Sequence, residues 1–385
     1  MNVVKELKNR PHFNLITSDE ALAEVCQQAQ GKTAVALDTE FIRTRTYYPK
    51  LGLIQLYDGE RVSLIDPMEI NDFSPFVALL ADQKVRKVLH ACYEDLEVLQ
   101  HYFQQLPTPL TDTQVMAGFL GFPNSTGFAT LIQHYFSLEL DKGASRTDWL
   151  ARPLSDKQLH YAAADVWYLL PLYQQMQSEL VKTEWQSAVE FDCEMLLDKR
   201  LDAKETDNAY LNIPNAWKLT PLELMRLKLL AKWRQEEAIK RDLALNFVVK
   251  GENLWLVAKH NPKHTSELLN LGLSTHEVRI HGKKLLQLVE QAKRYDETDY
   301  PPPIVKLSDD PRYKKTIKHL QEKLQQLSPS DLSPDLIASR RSLENLMKWV
   351  WLKAKNPSKL PELMKGWRHK FGVELVKVLD NQRVD

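Results

Sequence analysis

A chain of 385 residues, 43% apolar, is long enough for two or three domains with ordinary globular cores. Basic and acidic side chains balance at 51 each, but residues 1–200 hold 18 basic against 27 acidic, leaving 33 against 24 for the remainder. No apolar run approaches the roughly eighteen residues of a membrane span, the N-terminus MNVVKELKNRPHFNLI lacks the apolar centre of an export signal, and Cys26, Cys92 and Cys193 are odd in number without metal-ligand spacing. These features exclude a membrane protein and a disulfide scaffold and lead us to expect a cytoplasmic chain with reduced thiols.

In chain order, TAVALDTEF (33–41) is a short apolar run that ends in acids, a pattern that predicts a buried strand with polar residues at its exit. GLIQLYD (52–58) and RVSLIDP (61–67) are two further β-type runs, with Asp58-Gly59-Glu60 between them as a hairpin signal. KVRKVLHA (84–91) is a fourth strand candidate. From Tyr93 to Phe103, Leu96, Leu99 and Phe103 recur at helical spacing, and helical patterns follow at 128–136 and from 156 onward. Ser155 and Gln158 form a capping-box pattern that starts the last of these. Strands alternating with helices predict an α/β domain whose mixed sheet is covered on both sides.

Beyond about residue 195 the patterns are helical. Thr220-Pro221-Leu222-Glu223 combines a cap, a proline at the first helical position and a glutamate at the third. Tyr300-Pro301-Pro302-Pro303 marks a linker, because consecutive prolines cannot continue a helix. Trp255-Leu-Val-Ala-Lys-His-Asn-Pro262 is echoed by Trp351-Leu-Lys-Ala-Lys-Asn-Pro357, each followed by a leucine-rich segment, ELLNLG (267–272) and ELMKGW (362–367). This weak repeat predicts two related small helical domains. The expected divisions are 1–195 for the α/β domain, 196–213 as linker, 214–295 for the first helical domain, 296–307 as linker and 308–385 for the second.

The chemistry concentrates in three places. Asp38 and Glu40 share one strand face, since side chains at i and i+2 point the same way. Such a pair repels itself unless a cation lies between, and hard divalent ions prefer oxygen ligands. Asp95 stands in the first turn of the helix after the fourth strand. Tyr161 and Asp165, four apart in HYAAADVWYLL, share a helix face, and the three alanines between them admit a close neighbour. Taken singly, each has a plain alternative: a surface acidic pair, acids favoured by a helix dipole, and a helix packed on a sheet.

Together, V-A-L-D-T-E-F, H-A-C-Y-E-D and Y-A-A-A-D resemble the three motifs of the DEDD exonuclease superfamily, in its tyrosine branch. D-T-E-F-x-R-x-x-T-Y-Y-P (38–49), D-W-L-x-R-P-L-S (148–155) and Y-A-A-A-D-V-W-Y-L (161–169) are similar to the ribonuclease D family, and the two helical repeats resemble its paired HRDC domains (helicase and ribonuclease D C-terminal). The resemblance implies a ribonuclease H-like mixed sheet flanked by helices, followed by two small all-α HRDC domains. It also implies 3′-to-5′ trimming of RNA such as tRNA precursors with 3′ extensions, with release of nucleoside 5′-monophosphates. Asp38, Glu40, Asp95 and Asp165 would bind two divalent metal ions, Mg²⁺ or Mn²⁺, with Asp38 bridging, and Tyr161 would orient the attacking water. His160 has the spacing of the histidine branch. Five steps of about 100° put it roughly 140° from Asp165, so Tyr161 is the better aligned.

Phe41, Lys142 and Arg146 are candidate substrate contacts, with Arg43 and Arg45 as further loop cations; Phe41 serves equally well as a packed strand residue. The acidic front suits metal binding and the basic rear suits a polyanion, although solvated faces vary in charge by chance. Trp233, Arg234, Lys240, Arg241 and Arg279 are candidates to hold RNA, with Trp233 better read as core. A monomer is expected, and removal of residues 211–385 is expected to weaken RNA binding while chemistry on short substrates persists. A DNA exonuclease of the same superfamily and a non-catalytic RNA-binding module are the competing readings.

Overall fold

The computed structural model describes residue 7 and residues 11–140, 143–144, 146–201 and 206–381; the candidate Lys142 lies outside the described residues. The chain divides into two compact units, one of residues 1–42, 50–202 and 311–385, the other of residues 43–49 and 203–310.

The first unit is built on six strands: β1 (Phe13–Ile16), β2 (Ala34–Ile42), β3 (Lys50–Tyr57), β4 (Val62–Ile65), β5 (Arg86–Leu89) and β6 (Leu110–Asp112). Their order is β1-β4-β3-β2-β5-β6. β3 pairs antiparallel with β2 and β4, while β1–β4, β2–β5 and β5–β6 are parallel, so the sheet is mixed. Gly59, at φ +93°, makes the turn between β3 and β4. The helices of this part are α1 (Asp19–Gln30), α2 (Ser74–Ala81), α3 (Tyr93–Phe103), α4 (Thr113–Phe119), α5 (Phe128–Phe136), α6 (Asp156–Leu180) and α7 (Gln186–Leu201).

The period of two sorts the strand residues. Ala36, Leu53, Tyr57, Leu64 and Val88 face Ala162, Ala163, Val166 and Leu169 of α6. Val35, Leu37, Ile54, Leu56 and Leu89 join the other core, with Leu22, Phe76, Leu79, Leu96 and Leu99 from α1 to α3. Both faces are therefore covered. The capping box at Ser155 is present: its hydroxyl accepts from the Gln158 N–H at 3.3 Å, and the Gln158 side chain accepts from the Ser155 N–H at 3.0 Å. It fixes where α6 begins, and with it the register of Tyr161 and Asp165.

The second unit contains α8 (Pro221–Arg241), α9 (Leu245–Val248), α10 (Gly251–His260), α11 (Thr265–Asn270) and α12 (Thr275–Gln291). Leu224, Leu227, Leu230, Leu254, Val257, Leu268 and Leu285 form its core. Here one expectation is corrected. Arg234 is buried, and its guanidinium donates to the Val249 carbonyl at 3.1 Å, so it is tied to the backbone within the helical core rather than available to RNA. Trp233 is half-buried against this core, its ring 5.2 Å from that of His281.

Returning to the first unit, α13 (Tyr313–Leu327), α14 (Pro334–Ile337), α15 (Arg340–Trp351) and α16 (His369–Asp380) make up its C-terminal part. Leu363 here, like Leu268 in the first repeat, is fully buried. These helices share the core of the α/β domain. Leu332 belongs to the cluster that covers the sheet, and Trp367 lies 5.2 Å from Phe119 and 5.9 Å from Trp185. Arg368 meets the Asp192 carboxylate at 2.5 and 2.8 Å. A cut at residue 210 would therefore strip apolar cover and an ion-pair partner from this unit.

Candidate active site

β2 carries Asp38 and Glu40 on one face, and the pairing with β3 shifts register between Glu40 and Phe41, a bulge at the strand's exit. α6 crosses that face. Carboxylate oxygens of Asp38, Glu40 and Asp165 lie within 4.8 Å of one another. At that separation and an effective dielectric of about 20, each pair of charges repels by roughly 3.5 kcal/mol or more. The acids respond accordingly. Burial and the neighbouring Asp165 hold Asp38 well above the ordinary carboxylate range. Burial, with Asp38, Asp165 and Asp95, pushes Glu40 up to about 10. Burial pushes Asp165 up to about 7, partly offset by the Tyr161 hydroxyl.

Asp95 arrives by a different route. The chain turns from β5 into α3 through Ala91, which holds φ 52°, a left-handed conformation costly for a residue with a Cβ. The buried Asp112 carboxylate secures that turn, accepting from the N–H groups of Ala91, Cys92 and Gln114 at 3.0, 2.9 and 2.7 Å. Asp95 then accepts a hydrogen bond from the Thr39 hydroxyl, which lies between the two β2 acids in sequence. It is not among the three acids within 4.8 Å of one another, but burial and the charge of Asp38 raise its pKa well above normal. Asp38 is thus coupled to all three of the other acids.

Burial, together with Asp165, Glu40 and Asp38, raises the pKa of the Tyr161 hydroxyl further above that of a free phenol. At neutral pH it is a neutral hydrogen-bonding group, still less able to act as a base than an unperturbed tyrosine. Its ring lies 6.2 Å from the buried Trp149. Trp149 is pressed on Gly52 so closely that a Cβ there would come within 2.6 Å of the Trp149 carbonyl oxygen. Arg152 locks the same segment, meeting Asp66 at 2.6 and 2.7 Å and the Gly52 carbonyl at 2.7 Å. The D-W-L-x-R-P-L-S segment is accordingly a scaffold behind Tyr161. His160 is exposed, with Nδ1 2.8 Å from the Asp156 carbonyl and its ring edge-on to Phe13 at 5.2 Å, apart from the acids.

The substrate candidates fare less uniformly. Phe41 is half-buried against the large core of the first unit. Arg146 is exposed on the segment leading to Trp149. Arg43 and Arg45 belong to the second unit. Four supporting residues escaped the sequence reading: Thr39, Asp112, Trp149 and Gln55. Gln55 sits opposite Asp38 in the β2–β3 register, fully buried, with neither end of its amide in a hydrogen bond. Its signal was the lone polar side chain inside the apolar run GLIQLYD.

The donor set fits hard divalent cations. It is all oxygen and all carboxylate, and no Lys or Arg of the described residues figures among the groups that shift these four acids. The protein brings negative charge together here without neutralising it, which suits Mg²⁺ or Mn²⁺.

Comparison with known proteins agrees with this geometry. A 3′-5′ exonuclease family matches residues 13–181, the HRDC domain residues 223–289, and the ribonuclease D C-terminal HRDC domain residues 311–375. Ribonuclease D of Haemophilus influenzae is 58% identical over 98% of this chain and 96% of its own length. Ribonuclease D of Cronobacter turicensis is 50% identical over 95% and 99%. The crystal structure of Escherichia coli RNase D, an exoribonuclease involved in structured RNA processing, superposes with a TM-score of 0.92 at 46% identity, covering 97% of this chain and 100% of that one.

Proposed function

The chain belongs to the ribonuclease D family of exoribonucleases, and from that premise we propose that it trims structured RNA, tRNA precursors with 3′ extensions above all, from the 3′ end, releasing nucleoside 5′-monophosphates. In this reading Asp38, Glu40, Asp95 and Asp165 would hold two divalent cations. Such ions would supply acidification of a water and neutralisation of charge on the departing 3′ oxygen. Tyr161, one turn before Asp165 on the same helix, would orient the attacking water through its hydroxyl and leave proton removal to other groups. Thr39 and Asp112 fix Asp95, and Trp149 backs the tyrosine. The enzyme acts as a monomer in the cytoplasm, where its three free cysteines stay reduced.

The observation that carries the proposal is the convergence of Asp38 and Glu40 of β2 with Asp165 of α6 within 4.8 Å, with no Lys or Arg of the described residues among the groups that shift them. The test is digestion of an end-labelled tRNA bearing a 3′ extension, with Mg²⁺, with Mn²⁺ and with chelator. Shortening from the 3′ end to the mature length, mononucleotide release and full loss under chelation are expected. Endonucleolytic fragments, or persistence without metal, would contradict it. A matched DNA oligomer belongs in the same experiment, since acids that reach phosphate through metal do not read the 2′-hydroxyl.

A further inference from the structure

Residues 43–49 leave β2 three positions after Glu40 and fold with the helices of the second unit. The Ala244 N–H donates to the Arg45 carbonyl at 2.8 Å, and the Tyr48 N–H donates to the Asp242 carboxylate at 2.9 Å. This segment forms one wall of a pocket of about 900 Å³, whose other walls come from the turn at 206–212, from α8 and from α9. A packing defect between helices would be lined by apolar side chains. Beside its apolar surface, this lining presents the carboxamides of Asn212, Gln235 and Asn246, the last also accepting from the Gly251 N–H at 3.4 Å, the cation of Arg43, the ring of Tyr47, and Phe247, which is 56% exposed. Among the described residues no Asp or Glu lines it.

That chemistry narrows the ligand. A carboxamide sets a donor beside an acceptor, the pattern displayed by nucleobase edges. An exposed ring at a pocket wall is a stacking surface that accepts any base. Arginine suits a phosphate, and the lack of carboxylates disfavours metal ions and basic peptides. The volume falls in the range of about 300–1,000 Å³ usual for ligand sites. We infer that this pocket is a second RNA subsite, taking one unpaired nucleotide of the substrate: Phe247 stacks on the base, the carboxamides meet its edge, and Arg43 holds a phosphate. The inference rests on the exoribonuclease reading and adds a site remote from the acids in kind, since it binds without cleaving.

The test measures binding of a fluorescein-labelled single-stranded 12-mer RNA to the full-length chain in chelator, beside Phe247→Ala, Phe247→Trp and Arg43→Gln. Phe247→Ala is expected to weaken binding about tenfold, within what loss of one stacked base costs, and Phe247→Trp to retain it. Arg43→Gln is expected to flatten the salt dependence by somewhat less than one released ion. A 12-mer carrying 4-thiouridine is expected to crosslink to peptides spanning 43–49 or 245–248, which supplies a reading on the unmutated chain should Phe247→Ala lower the thermal midpoint. Metal-dependent hydrolysis of a trinucleotide by the wild type runs alongside. If that hydrolysis fails, the exoribonuclease reading falls. If it proceeds while Phe247→Ala binds the 12-mer as the wild type does, or crosslinks avoid both peptides, the pocket inference alone is overturned.

Discussion

The ring of Tyr161 lies 6.2 Å from that of the buried Trp149, and Asp165 stands one turn further along the same helix as Tyr161. His160, next to Tyr161 in sequence, is directed out to solvent and back to its own helix. Adjacent residues that both have superfamily spacing therefore differ in their access to the acids, and helix periodicity is the reason.

From that contrast, Tyr161→Phe is expected to lower kcat by about 10²-fold, on the order of what misplacing a reacting group costs, with metal affinity nearly unchanged. His160→Ala is expected to alter kcat by less than about threefold. Single-turnover rates at saturating Mn²⁺ check both, and a reversed ranking would remove the tyrosine from its role.

The raised acids make a prediction about pH. Asp165 is pushed up to about 7 and Glu40 to about 10, whereas unfolded carboxylates titrate near about 4. A folded-state pKa above the unfolded one stabilises the fold fully below the unfolded value and loses that contribution as pH rises through the folded value. The metal-free wild type should thus lose stability relative to Asp165→Asn between about pH 4 and pH 7. Added Mn²⁺ should reverse the loss, more strongly at pH 8 than at pH 5, because binding requires ionised ligands. Thermal midpoints with and without metal across that window test this; a wild-type minus variant difference that is flat in pH would count against it.

Gly52 permits the close approach of Trp149 that backs Tyr161. Gly52→Ala should cost about 1–3 kcal/mol in urea unfolding, the usual range for overpacking, and should slow turnover as Trp149 shifts. Wild-type stability with wild-type turnover would show that the contact relaxes freely.

Arg368 and Asp192 form a mostly buried pair joining the C-terminal helices to the catalytic core, with side chains 8% and 12% exposed. Arg368→Ala leaves a carboxylate unpaired and should cost about 3–5 kcal/mol. Combining Arg368→Met with Asp192→Leu should recover much of that loss. A double-mutant cycle measures the coupling, and strict additivity would deny it.

Much of this was legible where local chemistry decides structure. The β2 run, the Gly59 turn and the Ser155 capping box each carry their signal in adjacent residues. β1 and β6 were not legible, because strands of four and three residues have too little alternation to stand out and depend on parallel neighbours far away in sequence. The site divides the same way. Asp38 and Glu40 display themselves by spacing, but the roles of Thr39 and Asp112 lie in partners 56 and 20 to 21 positions away. Arg234 had the composition of an RNA contact and proved to be a backbone tether, a distinction that burial alone decides. The fusion of the C-terminal helices to the catalytic core was equally hidden, since Trp367 and Arg368 give no sign in sequence of the partners they meet.

Mn²⁺ titration followed by electron paramagnetic resonance, in the presence of a nucleoside 5′-monophosphate, tests the site most directly. The wild type should take up about two ions per chain, and Asp38→Asn should lose at least one of them together with RNA hydrolysis. An Asp38→Asn chain that binds Mn²⁺ and degrades RNA as the wild type does would contradict the assignment of these acids as the metal centre.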